Sequence, residues 1–124
     1  MTPEEVVRAE LAAWDHLDAD EIMSYFAPDA VYENVPFGAA SGSDEIREDV
    51  ERWLRPLTSF GAEILNLAVA GNIVLIERVD HTTWEGQRFA TRTMGAFEVD
   101  GDKIKAWRDY YDVPKDFEMP NDGN

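Results

Sequence analysis

The run Ile73 to Trp84 sets a guanidinium and a carboxylate inside a pattern that otherwise reads as a half-buried β-strand. Side chains alternate faces along a strand, so Arg78 and Asp80 share one face with Val74, Ile76, Thr82 and Trp84. An unpaired charge buried on such a face costs on the order of several kcal/mol, so these two must be paired, wet or functional. A structural ion pair would satisfy that demand as well as a reactive site would. Other residues tip the balance. Asp109 is flanked at i±2 by Trp107 and Tyr111 in the closing run, and Tyr32 and Asn34 share one face of an earlier one. Two acids, one arginine and two neutral hydrogen-bonding groups on apolar strands are the parts of an acid–base pocket.

Around this set the chain changes period once. Thr2-Pro3-Glu4-Glu5 is a capping box with proline in the first turn, followed by Val6, Val7, Leu11, Trp14 and Leu17 at helical spacing. Asp18 and Glu21 repeat the capping pattern and open a short helix through Phe26, which Pro28 stops. Ala30 to Val35 alternates as a strand, Pro36 to Gly42 reads as a loop, and Ser43 caps a third helix striped by Ile46, Val50, Trp53, Leu54 and Leu57. From about Phe60 the period is two. Turns fall at Gly71-Asn72, Glu85-Gly86 and Asp100-Gly101, and a last strand runs Ile104 to Asp112.

Three helices, an early strand and a run of long antiparallel strands define an α+β fold. The expected form is a cone: a strongly curved, mixed or antiparallel sheet wrapped on three N-terminal helices, with a pocket inside. Residues 1–113 form a single domain, and 114–124 form a tail expected to be disordered. In the last strand parity alone does not choose a face, since Ile104, Ala106 and Tyr110 lie opposite Asp109. The face of Trp107, Asp109 and Tyr111 is taken as inward because Lys103 and Lys105 fall near the strand's start. In a cupped fold Leu11 and Trp14 would serve both core and pocket.

Composition excludes several classes. A formal net charge of −15 argues against nucleic acid and anionic membrane surfaces. The absence of cysteine removes disulfides, thiolate metal sites and thiol nucleophiles. His16 and His81 lack ligand spacing, so no metal is expected. There is no nucleophile elbow and no phosphate-binding glycine loop. No apolar run approaches the roughly 20 residues that span a bilayer, and Met1-Thr2-Pro3-Glu4-Glu5 lacks a basic-then-apolar export pattern. A cytoplasmic location is the expectation.

With Tyr32-Glu33-Asn34, Glu77-Arg78-Val79-Asp80, Gly95 to Val99 and Trp107-Arg108-Asp109-Tyr110 in this order, the chain resembles the limonene-1,2-epoxide hydrolase family. That family belongs to the cone-shaped α+β superfamily called nuclear-transport-factor-two-like or SnoaL-like. The resemblance runs from the first helix to about Asp112. It implies an Asp–Arg–Asp triad of Asp80, Arg78 and Asp109, with Tyr32 and Asn34 holding a water. It also implies a homodimer without metal or organic cofactor. The substrate would be a small or medium apolar epoxide, opened by water to a vicinal diol with Asp109 as base and Asp80 as acid. Thr82, with Thr91 or Thr93, would make the pocket less greasy than a terpene site. Trp107 and Tyr111 complete the expected lining.

Fold alone does not fix function, and two other readings remain open. An enzyme like ketosteroid isomerases or polyketide cyclases would use one Asp as base and leave Arg78 surplus. A non-catalytic protein would bind a small ligand without turnover. Ile73, Leu75 and Val79 lie opposite the pocket face and are the expected dimer surface.

Overall fold

In the computed structural model, which describes residues 1–115 and 117, the chain begins with α1 (Pro3–Asp15) and α2 (Ala19–Ser24). Next come β1 (Phe26–Asn34), β2 (Gly38–Ser41) and α3 (Gly42–Leu54). The chain then continues through β3 (Leu57–Ala70), β4 (Ile73–Trp84), β5 (Gln87–Asp100) and β6 (Lys103–Tyr110). The strands form one sheet in the order β2-β1-β6-β5-β4-β3. β1 runs parallel to β6 and the other neighbours are antiparallel, so the sheet is mixed. This is the expected α+β architecture: three helices against a curled, unclosed sheet.

Local chemistry explains the ends. Thr2 Oγ1 accepts from Glu5 N while Thr2 N donates to Glu5 Oε1, the reciprocal box read from sequence. Asp18 accepts from Glu21 N and starts α2. The turn between β4 and β5 holds Glu85 and Gly86, both at positive φ, as a tight two-residue hairpin requires.

Curvature comes from bulges. In β3 the register against β4 slips at Thr58 and again at Leu65, and in β6 it slips at Lys105 against β5. An extra residue bends its strand and increases its twist. The Lys105 bulge also resolves the parity question: Ile104 and Trp107 are both buried although they lie an odd number of positions apart. Trp107 and Asp109 do face inward, and so does Ile104, which parity had assigned to the other face.

Several boundaries differ from the sequence reading. The second helix ends at Ser24, and Pro28 lies within β1. Pro28 sits where the pairing of β1 with β6 is irregular, between Phe26 and Val31, so its missing N–H costs no regular ladder bond there. The segment expected to be a loop contains the edge strand β2, and the N-cap position of α3 falls on Ser41, whose side chain makes no capping bond, rather than on Ser43. β3 starts at Leu57 and β6 ends at Tyr110. The expected tail falls largely on residues 116 and 118–124, outside those described.

The core fills the concave side. Val6, Val7, Ile22, Ile46, Val50, Val74, Ile76 and Ile104 are fully buried. Trp107 stands at its centre, with ring centroids 4.8 Å from both Phe97 and Tyr32 and 6.1 Å from Phe26.

Candidate active site

Arg78 is the hub. Its side chain is 1 % exposed, and two edges of its guanidinium are each taken by a carboxylate. Nε and Nη2 donate to Asp80 Oδ1 and Oδ2 at 2.8 and 3.0 Å. Nη1 and Nη2 donate to Asp109 Oδ1 and Oδ2 at 3.1 and 2.7 Å. Only a planar fork with several fixed donors can bind two carboxylates side by side in this way.

The topology would normally keep these groups apart. β5 lies between β4 and β6, so the backbones carrying Arg78 and Asp109 are about 10 Å apart by ordinary strand spacing. Gly95, the register partner of both Ile76 and Asp109, leaves the crossing open. A Cβ there would stand 2.6 Å from Arg78 Nη1 and 2.9 Å from Asp109 Oδ1. The sequence reading used Gly95 as part of a motif without seeing this role.

Asp109 receives a third donor, Trp107 Nε1, at 2.7 Å from Oδ1. Its two oxygens offer about four lone-pair directions, and these three bonds leave one on Oδ2. Tyr32 and Asn34 reach the same region because parallel pairing sets Tyr32 beside Trp107 and Asn34 beside Asp109. Tyr111, just past β6, donates its hydroxyl to Asn34 Oδ1 at 2.9 Å.

Electrostatics singles out Asp80. Burial raises the pKa of Asp80; Arg78 opposes the shift, the charge of Asp109 adds to it, and the net direction is upward. Burial would lower the pKa of Arg78, but the two carboxylates outweigh it and lift the group above its ordinary value. Tyr32 is pushed well up by burial and then by Asp109, so its phenol stays protonated.

All five residues proposed for chemistry, Tyr32, Asn34, Arg78, Asp80 and Asp109, line one cavity of about 730 Å³ including its open mouth. Its lining, with two acids and an arginine set among aromatic side chains, is of the kind that receives a small organic molecule. Trp14, Thr82, Trp107 and Tyr111 line it as expected, as do both Thr91 and Thr93. Leu11 does not: it is buried in the core and is not part of the lining. The lining also includes Trp53, Trp84, Phe89 and Phe117, aromatics that the sequence reading did not assign to the pocket. Phe117 stacks on Trp53 at 5.8 Å and lies 4.9 Å from Trp84 and 5.9 Å from Phe89. The spacing that could have flagged Trp84 was there, since it shares the even-numbered face of β4 with Arg78 and Asp80. Among the described residues, no group of three or more His, Cys, Asp or Glu is arranged to hold a metal ion, and no helix is long and apolar enough to cross a membrane.

The architecture is that of the SnoaL-like and cystatin-like cones. A SnoaL-like protein from Shewanella denitrificans, assigned as a polyketide cyclase without proof of that activity, superposes with a TM-score of 0.82 at 15 % identity, covering 89 % of this chain and 90 % of that one. That likeness defines the fold class alone. Sequence goes further: the model of the limonene-1,2-epoxide hydrolase catalytic domain matches residues 1–119. Epoxide hydrolase EphG of Mycobacterium tuberculosis is 34 % identical over 107 residues, 86 % of this chain and 71 % of that protein. The structure of an LEH-like epoxide hydrolase of M. tuberculosis gives a TM-score of 0.78 at 32 % identity, covering 87 % of this chain and 80 % of that one. The chain belongs to the limonene-1,2-epoxide hydrolase family.

Proposed function

We propose that the protein hydrolyses a small or medium apolar epoxide to a vicinal diol by direct attack of water, without a covalent intermediate. The observation that carries this reading is the double fork of Arg78 on Asp80 and Asp109. An enzyme using one Asp as base would have no use for the second carboxylate on the same arginine.

In the proposed reaction a water donates one proton toward the free lone pair of Asp109 Oδ2 while its oxygen attacks an epoxide carbon. The carbon–oxygen bond of the ring breaks, and the departing oxygen takes its proton from Asp80. Asp109 ends protonated and Asp80 ionised, and return of one proton restores the starting state. The raised pKa of Asp80 supports its role as donor. Tyr32 and Asn34 hold the water, and the aromatic lining accepts the apolar body of the substrate. Each proton transfer contributes roughly 10²–10⁴-fold.

A single turnover with enzyme in excess over styrene oxide or cyclohexene oxide, run in ¹⁸O-labelled water, tests the route. Direct attack puts the label into the first diol formed. A covalent route would deliver enzyme oxygen first and leave the label on a carboxylate, which digestion and mass spectrometry would find on Asp109 or Asp80.

A further inference from the structure

Tyr111 stands apart from the two acids and the arginine, yet it ties the end of β6 to the end of β1 through a side-chain amide. We propose that Tyr111 is a positioning residue that fixes the Asn34 amide so that its N–H₂ end, rather than its carbonyl, meets the attacking water. This rests on the reading that Asp109 activates a water.

Asn34 is 7 % exposed and lines the cavity. Its Oδ1 accepts the Tyr111 hydroxyl at 2.9 Å, while its Nδ2 is buried, makes no hydrogen bond of full geometry to protein, and lies near enough to the Tyr32 oxygen to oppose that phenol's upward shift. A buried amide N–H₂ left unmatched costs about 1–3 kcal/mol, so this donor is placed for something other than protein. An asparagine amide is nearly symmetric in shape, and packing alone does not choose between its two orientations. The phenol makes the choice, because a phenolic hydroxyl is a better donor than acceptor and claims the carbonyl end. Burial, followed by the charges of Asp109, Asp80 and Asp49, raises the pKa of Tyr111 and keeps that proton in place.

The orientation matters to the water. A water beside Asp109 gives one hydrogen to the carboxylate and the other to the Tyr32 oxygen, keeps one lone pair for carbon and uses the last to accept. Asn34 Nδ2, whose residue is the register partner of Asp109, supplies that donor. With the amide reversed, the water would face two acceptors and its attacking lone pair would no longer be aimed.

The test is Tyr111→Phe, Asn34→Ala and the double variant, assayed for diol from styrene oxide and cyclohexene oxide. The expected result is a kcat lowered roughly 10–100-fold in Tyr111→Phe with KM changed less than about twofold. The same substitution should add no further loss in the Asn34→Ala background. Losses that multiply independently, an unchanged kcat, or a change in KM alone would overturn the proposal, the last assigning Tyr111 to substrate binding. A second readout does not need turnover. Crystal structures at about 1.2 Å should show a water between Asn34 Nδ2 and Asp109 Oδ2 in the parent, displaced or lost in Tyr111→Phe. A parent without that water, or a variant that keeps it unmoved, overturns the proposal. If the parent holds the water and the variant loses it, but neither epoxide is opened, the positioning role stands and the hydrolase reading fails.

Discussion

Gly95 is the gap through which Arg78 reaches Asp109, with space for a hydrogen and none for a methyl group. The nearest atom to an added Cβ is Arg78 Nη1, which donates to Asp109 Oδ1 on a guanidinium whose other nitrogens are held by Asp80 and Asp109, so it cannot swing away without breaking a charge-assisted bond. Gly95→Ala should therefore destabilise the fold by about 1–3 kcal/mol and lower diol formation more than tenfold. Urea denaturation and steady-state kinetics on the folded variant measure the two effects. A folded Ala variant with parental kcat would mean that the Arg78–Asp109 pair is dispensable.

How much of this was legible in advance depends on where the sheet is regular. β4 keeps its register with β5 from Ile73 to Trp84, so parity read from Arg78 and Asp80 holds along the whole strand. β6 carries a bulge at Lys105, and a single extra residue inverts every assignment across it. Ile104 was misassigned for that reason. Pro28 suggested a stop signal because a proline normally breaks regular structure, but it lies in a stretch of β1 where no regular pairing is disturbed. The close approach at Gly95 and the aromatic cluster around Phe117 are contacts between segments distant in sequence, and no local pattern encodes them.

The upward shift of Asp80 has a kinetic consequence. An acid catalyst must hold its proton in the free enzyme, so kcat/KM should fall as pH rises through the pKa of Asp80, giving an alkaline limb. Asp80→Asn should lower the rate by roughly 10²–10⁴-fold and abolish that limb in the residual activity. A pH–rate profile of parent and variant decides the matter. An alkaline limb that survives in Asp80→Asn would assign it to another group.

We also propose a homodimer through the outer face of the sheet. Leu65, Leu75, Met94 and Tyr110 are each more than two-fifths exposed, whereas Ile73 and Val79, also expected there, are half-buried. An exposed apolar stretch of this kind on a sheet calls for a cover. Light scattering should report twice the chain mass at micromolar concentration, and Leu75→Glu with Met94→Glu should shift it to one chain mass. A parent protein that runs as a monomer would count against the proposal.

Glu10 offers a test of stability that leaves the cavity alone. It falls on the apolar stripe of α1 with Val6, Val7 and Trp14, a spacing that marks it as inward-facing. It is fully buried, and neither carboxyl oxygen has a hydrogen-bond partner. Burial, and then the charge of Glu21, lift its pKa well above the ordinary carboxylate range. The native state therefore keeps a proton that the unfolded chain releases near about pH 4.3. Stability from this site is full below that value and is lost as pH rises toward the native pKa. Glu10→Met removes the polar atoms at similar size, so it should stabilise the protein by about 1–3 kcal/mol or more near pH 8, with a smaller gain near about pH 4. Thermal or urea denaturation of both proteins across that range measures the difference, and kcat should be unchanged. A gain that does not vary with pH, or a loss at about pH 8, would show that Glu10 is ionised in the native state and holds a partner there.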